Sequence, residues 1–296
     1  QKIMEVLIVG GTGFIGNALQ KALDLSGISY KILSRRPAKA NHVFWDPAKD
    51  QLDTSSLGSI THIINLAGAG IAEKRWTRER KKELINSRVD ATQFLYNECS
   101  KHCPSLEGYI GISGVNAFGF DDSLCYNETH AFATDFLSGL VEQWEGAHRL
   151  FDKLPSFSIF RLGMVLSSRG GAYRKIAAPM KFYMGAVPGS GKQLVPWIHL
   201  DDVVGFILHV LQTKSVGLIH VVSNNSSMKE LTQTIARKER SKIILPNIPV
   251  FVIRLIFGEM GMLLTESLRI DHTKLTQTAY KNRFNQLSDL INEKEN

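Results

Sequence analysis

The chain has 296 residues, 44% of them hydrophobic and 21% charged, with a mean hydropathy of −0.07. At ~150 residues per domain this is about two domain-sized units with room for a sizeable core, which excludes a disordered, collagen-like or disulfide-scaffold protein. The formal net charge of +7 favours anionic ligands, yet no tail or arm of the kind that grips nucleic acid is present, and a phosphate-bearing small molecule explains the excess equally well.

In chain order, Met4–Val9 is a short apolar run ending at glycines, as a buried parallel strand would. Residues 14–25 place Ile15, Ala18, Leu19, Ala22 and Leu23 at helical spacing, and Gly27 stops them. Strand-like runs follow at 30–33, 60–66 and 109–112, with a long helical stretch from Arg78 to Lys101 before the last of them. A helix over about 136–151 and a strand at 157–162 continue the alternation, which means an open parallel sheet with helices on both faces. Beyond Val165 the pattern loosens: glycine-rich loops, a strand at 194–198, a helix over 201–211, a strand at 218–222 and a mostly helical remainder from Ser227. The expected domains are 1–163, a dinucleotide-binding unit, and 164–296, a smaller, mostly helical substrate lobe with about 193–222 returning to the sheet.

Cys99, Cys103 and Cys125 are too few and too odd for a disulfide framework, and point to a reducing compartment. Cys99, His102 and Cys103 lie close together, but no second pair at zinc spacing completes them, so no metal is expected. The most apolar stretch, 248–258, is too short to span a membrane and carries Arg254. Glu5 stands where the apolar part of a leader would be, and Gln1 to Ile3, ahead of Met4, are given no meaning. A cytoplasmic protein with neither membrane nor nucleic-acid partner is expected, as a monomer or homodimer.

Gly10-Gly11-Thr12-Gly13-Phe14-Ile15-Gly16 sits between the first strand and the first helix. Glycine there lets the chain turn sharply, approach a pyrophosphate closely and pack helix on strand, with helix N–H groups facing the phosphates. The alternative is a glycine-rich turn of purely structural use. Twenty-one residues past Gly13, where an acidic side chain would bind the ribose hydroxyl of NAD, the chain offers Ser34, Arg35 and Arg36. Arginine suits the 2′-phosphate of NADP(H), unless these are only a solvated loop. Two other signals fail. Residues 189–193 look like part of a phosphate-binding loop but have Gln193 for Ser or Thr, and residues 111–115 look like a nucleophile elbow but end in Val115 instead of Gly.

The glycine loop, Asn65-Leu-Ala-Gly68, Arg161-Leu-Gly-Met-Val165 and Pro196-Trp-Ile-His-Leu-Asp-Asp202 together resemble the atypical extended short-chain dehydrogenase/reductases. More narrowly, with Lys74-Arg75-Trp76 and the 189–193 loop, the chain is similar to the epimerase-like subgroup sometimes labelled cell-division-inhibitor-like. The resemblance spans nearly the whole chain and implies a Rossmann-type, doubly wound α/β fold. It implies cofactor contacts from the glycine loop, Ser34, Arg35 and Arg36, from Leu66, Ala67 and Gly68, and from Val165, and it adds Glu83 and Arg88, for which a salt-bridged helix face is the alternative.

The departures bear on activity. The superfamily's Tyr-x-x-x-Lys pair, in which lysine helps the tyrosine act as acid or base, is replaced by Phe136 and Leu140, and no such pair occurs anywhere in the chain. Ser113 keeps the place of the catalytic serine, but Ala117 and Phe118 replace the hydroxyl-bearing aromatics after it. His199 is either a substitute proton donor or a tie between strand and helix, with Asp201 placed to cap that helix. Arg75, Trp76, Arg161 and Trp197 are the expected substrate-side residues, with core salt-bridging as the alternative for Arg161. The other cations of residues 74–82 read as a solvated helix face. The function expected is an NADP(H)-dependent oxidoreductase or epimerase-like enzyme for an unidentified small molecule, nucleotide-sugar-like or carbonyl-bearing. The alternative is an NADP(H)-binding sensor or scaffold without catalysis.

Overall fold

A computed structural model describes residues 3–121, 123–182, 184–213 and 215–293. Gln1 and Lys2 and the last three residues of the expected second domain lie outside them. The strands are β1 (Glu5–Val9), β2 (Ser29–Ser34), β3 (His42–Asp46), β4 (Gln51–Leu52), β5 (His62–Asn65), β6 (Gly108–Gly114), β7 (Ser156–Leu162), β8 (Met164–Ser167), β9 (Leu194–His199), β10 (Gly217–Val221) and β11 (Asn224–Ser227). The helices of seven or more residues are α1 (Phe14–Leu25), α2 (Arg78–Asn86), α3 (Val89–His102), α4 (Phe136–His148), α5 (Gly171–Ala177), α6 (Leu200–Gln212), α7 (Met228–Lys238) and α8 (Val250–Phe257).

An eight-stranded sheet runs β10-β7-β6-β5-β1-β2-β3-β4, parallel except for the β3–β4 pair. From β1 the chain moves outward through β2 and β3, then crosses back to β5 and on to β6, β7 and β10. The direction of winding therefore reverses beside β1, where open α/β sheets hold their ligands. Both faces of β1 are covered, so its side chains alternate between two cores. Val6 and Ile8 pack with Leu19 and Leu23 of α1 and Val203 and Phe206 of α6, whereas Leu7 and Val9 pack with Ala91 and Leu95 of α3. That double burial is why the strand reads as an unbroken apolar run.

The second sheet, β11-β9-β8, carries the C-terminal lobe, whose core holds Trp197, Tyr173, Met228, Leu231 and Ile235. Of the stretch expected to return to the large sheet, β10 does so beside β7, whereas β9 pairs with β8 and β11 in the small sheet. One further expectation is corrected, and one strand was missed. The 78–101 helix is broken at Ser87–Arg88, where the Ser87 hydroxyl donates to Leu84 O and accepts the Ala69 N–H, so the break anchors the loop after β5. The strand β3 is not evident in the apolar pattern, because only Val43 and Trp45 in its five residues are buried.

Candidate functional site

The parallel register brings Gly10, Ser34, Leu66 and Gly114 to one carboxyl edge, since Val9 pairs with both Leu33 and Asn65, and Asn65 with Gly111. Gly10 has φ +77°, and a Cβ on it would lie 2.8 Å from Leu66 O, so the loops after β1 and β5 touch only because this residue is glycine. At the other end of the loop, a Cβ on Gly16 would lie 2.3 Å from Gly11 O. Gly13 stands at the N-cap of α1, where no side chain caps the helix and no acid lies in the first turn. Thr77, Asp135, His199 and Ser227 do cap α2, α4, α6 and α7. The first-turn N–H groups of α1 (Phe14, Ile15, Gly16) are thus left for an external anion. Two residues that the sequence did not single out hold this loop in shape. Asn17 Nδ2 donates to Thr12 O at 3.2 Å, and Gln20 Nε2 donates to Gly11 O at 2.8 Å.

At the end of β2 the Ser34 hydroxyl accepts the Arg36 N–H, and both Arg35 and Arg36 are exposed. Neither has an ion-pair partner among the described residues. Ala67 N–H donates to Asn65 Oδ1, and Leu66 packs against the core below the edge. A Cβ on Gly68 would meet the Arg88 guanidinium at 3.0 Å. Arg88 is buried and has carbonyls for partners, donating to Leu84 O and Ala69 O and lying 4.8 Å from the Trp144 ring. Burial, then the nearby Arg80, lowers its pKa to about 10, so it remains a cation at neutral pH. Glu83 is taken up by its neighbour, Arg80 Nη1, at 2.6 Å. That hydrogen bond holds its carboxyl below the usual range. Arg80 itself corrects the reading of a solvated face: it is buried and donates to Gly70 O at 2.6 Å, pinning the loop after β5.

On the β6–β7 side the polar groups bind one another. Ser113 Oγ donates to Glu145 Oε1 at 2.8 Å, and Arg161 grips the same carboxylate with Nε at 2.6 Å and Nη2 at 2.8 Å. All three are buried, with the Arg161 guanidinium 5.0 Å from the Phe118 ring and 5.2 Å from that of Phe132. A second buried chain runs alongside. Asn65 Nδ2 donates to Tyr109 OH, and Tyr109 OH lies 2.6 Å from His148 Nδ1, while His148 Nε2 lies 3.1 Å from Ile112 O. A carbonyl can only accept, so Nε2 carries the imidazole proton and Tyr109 donates to Nδ1. Burial pushes the His148 pKa down to about 4 and keeps the ring neutral.

Several expected residues fall away from the cleft. His199 is fully buried; Nδ1 accepts the Asp201 N–H, Nε2 lies 3.1 Å from Glu293 Oε1, and the ring stacks on Phe284 at 3.6 Å. It is the tie between β9 and α6, and the imidazole, not Asp201, is the cap. Trp197 is wholly inside the C-terminal core with Nε1 donating to Ser226 Oγ, and Arg161 is committed to Glu145, so neither is open to a substrate. Val165 is the exception: it sits half-buried on β8, three residues past the end of β7, and pairs with Ile198. Phe136, Leu140 and Trp76 share one apolar cluster, and Trp76 Nε1 donates to Ile71 O. What remains open is Arg75. With Trp76, Thr77, Phe257, Gly258 and Glu259 it lines a cleft of about 370 Å³ between the loop before α2 and the C-terminal lobe. Cys99 and Cys103 are packed in the core under α3, and no group of three metal-ligating side chains occurs among the described residues.

Comparison with known proteins agrees with this architecture. A family profile described as "NAD dependent epimerase/dehydratase family" matches residues 6–222. The human epimerase family protein SDR39U1 is 31% identical over 98% of this chain and 99% of its own. An epimerase family protein of Staphylococcus saprophyticus is 34% identical over 94% of this chain and 95% of its own. The crystal structure of human SDR39U1 (isoform 2) with NADPH superposes with a TM-score of 0.87 at 30% identity, covering 97% of this chain and 98% of that one. Sequence, fold and relatives converge, and the chain belongs to the NAD dependent epimerase/dehydratase family.

Proposed function

We propose that this protein binds NADP(H) along the carboxyl edge of the large sheet and serves as an oxidoreductase or epimerase-like enzyme for a small molecule. The observation that carries the reading is the pairing of an uncapped, acid-free α1 N-terminus with two unpaired arginines, Arg35 and Arg36, at the end of β2. The residues fit the group: Gly10 to Gly16 would hold the pyrophosphate, and Ser34, Arg35 and Arg36 the 2′-phosphate. Leu66, Ala67 and Gly68 would line the adenosine side, with Val165 toward the nicotinamide and Arg88 keeping the Gly68 loop in place. The human relative's crystal form with NADPH supports the same choice. When bound, the nicotinamide supplies hydride transfer.

The chain's own contribution to the chemistry differs from the Tyr-x-x-x-Lys arrangement. The Ser113 hydroxyl spends its one donor on Glu145, which Arg161 also grips, so the Ser113 oxygen has lone pairs left to offer and no free hydrogen to donate. A substrate hydroxyl or N–H is the partner such an oxygen accepts. This feature favours turnover of an alcohol-bearing substrate. It also supports the second reading, a binding protein without catalysis, because the usual donor to a carbonyl oxygen is absent from Phe136 and Leu140.

Titration with NADPH and NADH separates these readings from a structural glycine loop. Wild-type protein is expected to bind NADPH more tightly, and Arg35→Ala is expected to lose about 10- to 100-fold in NADPH affinity with NADH unchanged. Absence of binding by either nucleotide below roughly millimolar overturns both readings. Consumption of NADPH with a screened carbonyl, or of NADP+ with the matching alcohol, then decides between enzyme and sensor.

A further inference from the structure

Two segments of this chain, residues 170–192 and 240–258, contain no acidic residue at all. Between them they carry seven cations: Arg174, Lys175, Lys181, Lys192, Arg240, Lys242 and Arg254. The whole chain has a formal net charge of +7, so the rest of the molecule is balanced and its entire positive excess resides here. The fold joins the two segments. Ile248 N–H donates to Val187 O and Gly189 N–H to Ile248 O, Asn247 Nδ2 reaches Ser190 O, and Ser241 Oγ donates to Met180 O.

The same segments expose apolar side chains on a scale unlike the rest of the surface. Seven of the eleven exposed large hydrophobic residues among those described are Phe182, Met184, Ile244, Leu245, Phe251, Leu255 and Ile256, between 44% and 75% accessible. The helix α8 contributes three of them and buries only Ile253 fully. A surface helix normally presents its polar face to water and its apolar stripe to the core. In α8, Phe251 and Leu255, four residues apart on one face, point out beside Arg254. The acids bordering the region are already engaged: Glu239 with the Tyr173 hydroxyl, Glu259 with Lys81 and Glu266 with Arg254.

We propose that this face docks on an anionic lipid surface, with Phe251, Leu255 and Ile256 of α8 entering the headgroup–acyl boundary and the exposed Lys181, Lys192, Arg240 and Lys242 facing lipid phosphates. A second copy of the chain would cover the apolar side chains but set these cations against their own copies, whereas an anionic bilayer satisfies both parts of the face at once. Among the described residues no helix is long and apolar enough to cross a membrane, and lying on the surface needs no such helix. The proposal is independent of the cofactor reading, since none of these residues belongs to the glycine loop or to the end of β2.

The test is flotation of the full chain with vesicles of phosphatidylcholine alone and of phosphatidylcholine with about one third phosphatidylglycerol. Binding is expected only to the anionic vesicles and should weaken as salt is raised. Phe251→Ser with Leu255→Ser, and separately Lys181→Glu with Lys242→Glu, should each lower partitioning at least about tenfold. Each double variant should keep the wild-type circular dichroism and thermal midpoint, because all four side chains are exposed. No partitioning onto anionic vesicles at low ionic strength, or equal binding to phosphatidylcholine alone, overturns the proposal. So does a dimer in size-exclusion chromatography that the Phe251/Leu255 variant converts to monomer while vesicle binding is unaffected, which would assign the face to a second copy.

Discussion

At the β1–β2 end of the carboxyl edge, Arg35 and Arg36 stand exposed without ion partners and α1 begins without a cap, whereas at the β6–β7 end Ser113, Glu145 and Arg161 bind one another in the core. Both regions sit on the same row of strand ends. The first keeps its donors unspent, as a surface that receives a charged ligand must. The second has spent its charges on itself, which makes it a rigid floor. A polar residue near a cleft is therefore no guide to its role until its partner is known. Mutations should separate the two ends cleanly, since the floor answers in stability and the open end in binding.

The largest effect belongs to the floor. Glu145→Ala leaves the Arg161 guanidinium buried and unpaired, which should cost about 3–5 kcal/mol in urea unfolding. Replacing both, as Glu145→Leu with Arg161→Met, should recover much of that loss, because the desolvation penalty goes with the charges. A single-variant loss under about 1 kcal/mol would show that water reaches the pair and that this end is not closed.

Acid sensitivity comes next and should arise in two stages. His148 is held neutral by burial with its pKa lowered from 6.5 to about 4, so the unfolded chain takes up its proton first. Its stabilisation is complete above pH 6.5 and is lost as pH falls toward 4. Glu293 behaves as a depressed carboxylate. Burial raises its pKa, but hydrogen bonds from His199, Ser167 and the Ser168 N–H outweigh burial and hold it at about 2. Its contribution is present above pH 4.5 and lost as pH falls through 2. Each stage amounts to roughly 3 kcal/mol, because a tenfold change in proton affinity is worth about 1.4 kcal/mol. His148→Gln should flatten thermal stability between pH 6.5 and 4 and leave the lower slope, and Glu293→Gln should do the reverse. If one variant flattens both ranges, the two buried networks are coupled.

The open end was readable in the sequence because its chemistry is local. The glycine spacing, the apolar run before it and the arginines after the second apolar run all lie within one β-α-β stretch, and each is demanded by backbone geometry or by charge. The sheet was readable for the same reason, since strands buried on both faces are apolar throughout. The floor and the buried Glu293 network were not, because their partners are joined only by the fold: Ser113 and Glu145 are 32 residues apart, and Ser167 and Glu293 are 126 apart. Glu145 and Glu293 look like ordinary helix-face acids until tertiary structure closes around them. Trp197 and His199 were drawn toward the substrate by the motif they share, yet β9 lies inside the C-terminal lobe and buries both. Arg80 was hidden in a run of surface cations, and only its hydrogen bond to Gly70 O distinguishes it.

The smallest effect sharpens the comparison from the open side. Gln20 reaches back from α1 to Gly11 O, and Asn17 to Thr12 O, so these side chains fix the loop without pointing at any ligand position themselves. Gln20→Ala removes the part-buried bond to Gly11 O and a long one, 3.4 Å, to Asn17 Oδ1, and should cost only about 0.5–1.5 kcal/mol of stability. Its consequence for binding should differ in kind from that of Arg35→Ala. The pyrophosphate is common to both nucleotides, so a loosened loop should weaken NADPH and NADH by the same small factor, about two- to tenfold. Loss of Arg35 should fall on NADPH alone. Paired titrations of the two variants with both nucleotides therefore read loop shape and phosphate charge separately. A selective NADPH loss in Gln20→Ala would mean that the loop and the end of β2 move together, and that the open end is less independent than its unpaired arginines imply.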